Sequence, residues 1–228
     1  MLAFDVFGTL LDWRSGLVAE LSAIARERNL SIDSAGIADA WRRKAGSLLQ
    51  KIAVGKRPFR PFEDVLETAL LLLAREPSIS AVPLRDLPRL LQTWHRLPAW
   101  PDAAAGLRRL RSCYAVTTLS NGGRKHLVDV THAADLAFDR VFSTEEVKSY
   151  KPDPRTYQLV PSVLRVQPDR VMMVASHGYD LKGAAAQGLR TAFIRRPQEW
   201  GTGKPEALDF PVDLAADDLL DLAAQLDG

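Results

Sequence analysis

Four polar clusters in this chain hold residues able to do chemistry: Asp5 in Leu2-Ala3-Phe4-Asp5-Val6-Phe7-Gly8-Thr9, the pair Ser120-Asn121, Lys151, and the run Ser176-His177-Gly178-Tyr179-Asp180. A carboxylate can act as a nucleophile, a lysine beside it favours its charged form, and hydroxyls and amides can orient a ligand. Taken one at a time, each cluster reads equally well as a turn or helix cap, since Ser, Asn and Asp are the favoured residues there. Their placement is what they share. Asp5 closes a short apolar run, Ser120-Asn121 follows the strand-like residues 114–119, Lys151 lies beyond 140–143, and Ser176 follows 170–175. In open α/β sheets, ligands bind outside the carboxyl ends of the strands, so four such clusters at one edge would assemble a site from distant segments.

The intervening pattern supplies that sheet. From Pro101 onward, strand-like runs alternate with helical ones: helices over 103–112, 124–134, 154–164, 180–188 and 217–226, and strands over 114–119, 140–143, 170–175 and 191–194. Such alternation predicts an α/β fold with a doubly wound, Rossmann-like parallel sheet. Between the first strand and this region the period changes. Leu17, Leu21 and Ile24, then Ile37, Trp41, Leu48 and Ile52, then Phe62, Val65, Leu66, Ala69 and Leu73 recur at helical spacing, and a last helix spans 84–95. The expected organisation is a core of residues 1–12 and 98–228 and an inserted all-helical cap of 13–97, seated above Asp5. Ser15, Asp33 and Ser34 are candidate helix caps. The leucine-rich helix 62–74 reads as internal to the cap, with a dimer interface as the alternative.

Composition narrows the class. The 228 residues are 46% hydrophobic and 25% charged, and 30 basic residues against 28 acidic ones give a net charge of only +2, too little to argue for nucleic acid. The longest apolar run is too short for a membrane span, and no leader pattern precedes Asp5, so a cytoplasmic location is expected. Cys113, the single cysteine, reads as a small core residue. Gly201-Thr202-Gly203-Lys204 looks superficially like a phosphate loop, but Gln198 and Pro205 break the pattern and it reads as a surface loop. His95, His126 and His132 lack metal-ligand spacing and receive no role. Trp100 is expected to pack the junction between core and cap, whereas Trp13 could either pack there or line the site.

The four clusters together resemble the haloacid dehalogenase superfamily over nearly the whole chain. Asp5-Val6-Phe7-Gly8-Thr9 matches its first motif, Ser120 the second, Lys151 the third and Asp180 the fourth. Within it, Leu119-Ser120-Asn121-Gly122, Lys151-Pro152-Asp153-Pro154-Arg155-Thr156-Tyr157 and Trp41-Arg42 resemble the (S)-2-haloacid dehalogenases.

That resemblance implies a hydrolase of small 2-haloacids working by covalent catalysis. Asp5 would attack the halogen-bearing carbon, and water would then hydrolyse the resulting ester. Lys151 would pair with Asp5 and Asp180. Thr9 and Ser120 would grip the substrate carboxylate, Arg42 and Asn121 would cradle the halide, and Tyr157 would line the pocket beside Phe7. Arg43, adjacent to Arg42, is an alternative for the halide. Phosphatases of the superfamily carry an acid where Phe7 stands, because an alkoxide leaving group needs a proton and halide does not. They also hold Mg²⁺ with a fourth motif that here has Ser176 in its first acidic slot. The resemblance therefore implies no cofactor; Mg²⁺ would enter only under the alternative of a phosphatase. A third alternative is a non-catalytic binding protein that keeps the fold. His177 stands where the family has another residue. It is open to a role as base or water-positioner, and equally to being a satisfied loop histidine. Similar Ser-His-x-x-Asp chains act on short fluorinated acids, which brings fluoroacetate into view. Partners are expected to be small molecules, with a homodimer compatible with the resemblance.

Overall fold

The computed structural model describes residues 1–76, 82–201, 203–204 and 206–227. Six strands form one parallel sheet: β1 (Leu2–Phe4), β2 (Val116–Ser120), β3 (Arg140–Ser143), β4 (Met172–Ala175), β5 (Arg190–Ile194) and β6 (Leu214–Ala216), in the order β3-β2-β1-β4-β5-β6. β1 lies between β2 and β4, with Leu2 level with Val116 on one side and Met172 on the other. The chain first builds outward through β2 and β3, then crosses to β4, β5 and β6. The reversal puts the crevice of a doubly wound sheet at the end of β1, where Asp5 follows Phe4.

The inner strands are covered on both faces, which explains why β1 and β4 are continuous apolar runs, while β2 buries Thr117 and Thr118 with their hydroxyls donating to β3 carbonyl oxygens. The covering helices are α5 (Ala103–Cys113), α6 (Arg124–Ala133), α7 (Pro154–Leu164), α8 (Gly178–Ala185) and α9 (Leu219–Asp227). Between β1 and α5 stand α1 (Trp13–Arg28), α2 (Ser34–Ala53), α3 (Phe62–Leu73) and α4 (Leu87–Thr93), the last entered through a 3₁₀ turn at Leu84–Asp86. The fold is thus the expected α/β core with an all-helical insertion. Every residue that defined the helical period in α1, α2 and α3 is buried. Trp41 joins two of these helices, donating its indole N–H to the Leu66 carbonyl oxygen at 2.9 Å.

The chain's two passages between insertion and sheet lie side by side. Asp12 N–H donates to Pro98 O at 2.8 Å, and Trp100 donates from its backbone to Leu10 O and from its indole to Gly8 O. Arg196, from the segment after β5, donates to Thr9 O at 2.9 Å and pairs with both carboxylate oxygens of Asp102. The turn from Asp5 to Leu11 is therefore held from three directions.

Several expectations need correction. Cys113 is exposed, because α5 buries Ala103, Gly106, Leu107 and Leu110 and the cysteine lies past that stripe at the last helical position. Strand β6 escaped notice because it is three residues long with a half-buried pattern at the sheet edge. Asp12, not Ser15, caps α1, its carboxylate accepting from Ser15 N–H. The cap helix expected over 84–95 is a 3₁₀ turn followed by a seven-residue helix. Of the loop resembling a phosphate site, Thr202 and Pro205 lie outside the described residues. Among the described residues no helix is long and apolar enough to cross a membrane.

Candidate active site

Asp5 is buried at the carboxyl end of β1, and its two oxygens are served by two matching sets of partners. Oδ1 accepts from Ser120 Oγ at 3.2 Å and Lys151 Nζ at 3.3 Å. Oδ2 accepts from Thr9 Oγ1 at 3.0 Å and lies 3.4 Å from His177 Nδ1. Each cation is backed by a second buried acid. Lys151 Nζ donates to Asp180 Oδ2 at 2.6 Å, and His177 Nε2 donates to Glu199 Oε1 at 2.9 Å. The carboxylate is thus flanked by one hydroxyl and one cation on each side.

Glu199 is the residue that sequence reasoning missed. It stands in the turn after β5, at the same sheet edge as the other four clusters, and it is buried. Its Oε1 also accepts from the Trp13 indole at 3.0 Å, which answers the question left open for Trp13. Gly8 makes this approach possible. Its φ of +95° lies in the left-handed region, and a Cβ placed there would overlap Glu199 Oε1 and crowd the His177 ring. Its position beyond a strand end was the one available signal, but an acid in a polar loop does not stand out.

Charge follows geometry. Burial by itself would raise the Asp5 pKa, but Lys151 and His177 more than offset it and hold the carboxyl well below the usual carboxylate range. Burial likewise opposes charge on His177, yet Glu199 and Asp5 push its pKa up to about 10. The ring is therefore an imidazolium at neutral pH, protonated on both nitrogens, and cannot accept a proton there. Burial pushes Asp180 upward, with Lys151 pulling the other way. Burial also opposes the charge of Glu199, which His177 nevertheless keeps below the ordinary value.

A cavity of about 390 Å³ opens onto Asp5 between sheet and insertion. Ser120, Asn121, Lys151, His177, Phe7 and Arg42 all line it. Phe7 forms one wall, stacked on Phe62 with centroids 5.3 Å apart. Arg42 lies 3.5 Å from the Phe7 carbonyl oxygen and over the Trp13 and Trp94 rings, whereas Arg43 is exposed and lies over Trp200; both reach the cavity. Asn121 Oδ1 accepts from Lys151 N–H at 2.9 Å and from Thr144 Oγ1, leaving its NH₂ uncommitted.

Two expected ligand contacts, Thr9 and Tyr157, and the motif residue Ser176 do not face the cavity. Thr9 and Ser176 are buried behind Asp5, with their hydroxyls 3.2 Å apart and Ser176 N–H donating to Thr9. Tyr157 is also fully buried and donates to Asp180 Oδ1 at 3.0 Å. None of the three lines the cavity; Thr9 and Tyr157 hold Asp5 and Asp180, and Ser176 holds Thr9.

The donor set does not fit Mg²⁺. Asp5 and Asp180, the acids that would have to share the ion, already share the Lys151 ammonium, and the second oxygen of Asp5 faces an imidazolium. A divalent cation would meet positive charge on both approaches.

The chain is similar to several known proteins. A family model described as haloacid dehalogenase-like hydrolase matches residues 1–188. An (S)-2-haloacid dehalogenase of Pseudomonas sp. strain CBS-3 is 35% identical over 214 residues, covering 86% of each chain. The structure superimposes on that of a defluorinating L-2-haloacid dehalogenase with a TM-score of 0.92 at 35% identity, covering 100% of this chain and 94% of the other. It also matches an L-2-haloacid dehalogenase from Xanthobacter autotrophicus with chloropropionic acid covalently bound, at TM-score 0.80 and 28% identity, covering 100% of this chain and 98% of that one.

Proposed function

The chain belongs to the haloacid dehalogenase-like hydrolases, and we propose that it hydrolyses small 2-haloacids to 2-hydroxy acids through an ester on Asp5. The observation that carries this reading is a buried carboxylate kept anionic by two cations, facing a cavity with Phe7, two residues on from Asp5, where a phosphatase would carry its acid. Halide is a weak enough base to leave unprotonated, so that wall is no handicap. Residues 13–97 act as the cap that closes the cavity over residues 1–12 and 98–228.

In the first half-reaction Asp5 attacks the halogen-bearing carbon in line. Arg42 and the Asn121 NH₂ receive the departing halide, with Arg43 at the rim, and Ser120 with the positive field of Lys151 and His177 holds the substrate carboxylate. In the second, water adds to the Asp5 carbonyl carbon. His177, already an imidazolium, donates to the developing oxyanion and is not the base. The adduct then collapses, breaking the bond between the Asp5 carbonyl carbon and the substrate oxygen; of water's two protons, one ends on that oxygen to give the 2-hydroxy acid and the other passes through Lys151 to Asp180, whose pKa burial raises. No cofactor is needed for either step. Defluorination is included, supported by the likeness to a defluorinating enzyme. The test is ion chromatography of halide released from 2-chloropropionate, chloroacetate and fluoroacetate, with and without EDTA. Release unaffected by EDTA supports the reading; no release from any of them, with EDTA-sensitive phosphate-ester hydrolysis instead, overturns it.

A further inference from the structure

Away from Asp5, three ligand-type side chains converge on the seam between insertion and sheet. Glu63 lies in the first turn of α3, His95 follows α4, and His126 belongs to α6. One ligand atom from each lies within 4.8 Å of the others, and Glu63 Oε1 is 3.6 Å from His126 Nδ1. His126 is fully buried, with Nε2 2.8 Å from the Trp94 carbonyl oxygen. A carbonyl can only accept, so Nε2 carries the proton, and the neutral ring presents a lone pair at Nδ1. That nitrogen has no hydrogen-bond partner and faces the Glu63 carboxylate. A buried lone pair against a carboxylate is repulsive unless a cation stands between them. His95 stacks on His126 with centroids 4.3 Å apart, and its Nδ1 lies 3.4 Å from Asp129 Oδ2, the kind of carboxylate contact that orients metal-bound imidazoles.

We propose that Glu63, His95 and His126 form a site for a borderline divalent cation, Zn²⁺ in particular, which clasps the helical insertion to the sheet. Two imidazoles and a carboxylate are a donor set that Zn²⁺ accepts, with water as fourth ligand from the solvent side, where Glu63 is 40% exposed. Ligand atoms around tetrahedral Zn²⁺ at ~2.0–2.1 Å stand roughly 3.4 Å apart. The Glu63–His126 separation is already close to that, and Glu63 and His95, both partly exposed, can close the rest by side-chain rotation. The His126 ring is 5.3 Å from the Phe7 ring, so the cation would sit behind the aromatic wall of the cavity, separated from Asp5 by Phe7. Glu63 and His95 move with the insertion and His126 with the sheet, so occupancy restrains their separation.

The test uses untagged full-length protein, stripped with EDTA and dialysed, titrated with Zn²⁺ by calorimetry and with Co²⁺ by visible absorption, alongside thermal unfolding. One Zn²⁺ per chain is expected, with a rise in Tm and Co²⁺ d–d bands. Glu63→Gln and His95→Gln, at partly exposed positions, should each weaken Zn²⁺ binding at least about tenfold and abolish the bands. Asp5→Asn should bind Zn²⁺ as the parent does. The proposal is overturned if the parent binds no Zn²⁺, if both ligand variants bind it equally well, or if Asp5→Asn is the change that removes it.

Discussion

Replacing Glu199 by Gln removes one charge from behind His177 while nearly keeping the side chain's shape. The donor and acceptor atoms are 2.9 Å apart, which places the charge centres about 4 Å from each other. At an effective dielectric constant near 20, such a pair interacts by about 4 kcal/mol, or roughly 3 pKa units. The His177 pKa, about 10 in the parent, should therefore fall to about 7 in Glu199→Gln. If the charged ring is needed beside Asp5, kcat/KM for halide release should be flat from about pH 6 to about pH 9 in the parent. The variant should instead lose activity above about pH 7, falling on the order of 100-fold below the parent at about pH 9. Stability should follow the same sign. A histidine whose pKa is raised by folding contributes fully below its unfolded value of about 6.5 and loses that contribution as pH rises through the folded one. The loss thus runs up to about pH 10 in the parent and ends near neutrality in the variant. NMR of labelled histidines alongside stopped-flow halide release reads both quantities. Superimposable pH profiles, or a parent histidine in this site titrating near 6.5, would refute the reasoning.

Asp5→Asn should abolish halide release, by on the order of 10⁴-fold or more, with the fold retained by circular dichroism. Tyr157→Phe leaves a buried Asp180 oxygen without its donor, a loss of about 1–3 kcal/mol, and should lower Tm and kcat while KM stays unchanged; a KM effect alone would mean that Tyr157 reaches the substrate. Gly8→Ala forces a Cβ onto Glu199 at a left-handed φ of +95°, and about 1–3 kcal/mol of strain should appear in denaturant unfolding together with a His177 pKa shifted downward. Trp41→Ala empties the contact between α2 and α3 and should lower stability by about 3–5 kcal/mol in the same assay.

Much of the site was legible because its chemistry is carried at strand ends. Asp5, Ser120, Lys151 and His177 each follow an apolar run, and a doubly wound sheet brings those ends together whatever the loops between them do. The helical insertion was legible for a similar reason, since a period of 3.6 over three successive segments allows no strand. Roles within the site were less so. Thr9, Ser176 and Tyr157 belong to motifs that suggest ligand contact, yet strand register and the packing of α8 turn them toward Asp5 and Asp180.

The sequence by itself determined the α/β class, the inserted helices, the nucleophile candidate and, through Phe7, the kind of leaving group that chemistry allows. The first two depend on residue type and local period, the last two on the family resemblance that Asp5 and Phe7 carry. Tertiary structure alone decided what depends on distance between segments far apart in the chain. Glu199 is 22 residues from His177 and 186 from Trp13, and only the meeting of two loops with the start of α1 makes it the counter-ion that fixes the charge of His177. Glu63, His95 and His126 have no ligand spacing along the chain; they meet because a helix of the insertion packs against a helix of the sheet. A charge's effect falls with spatial separation, which sequence separation does not report.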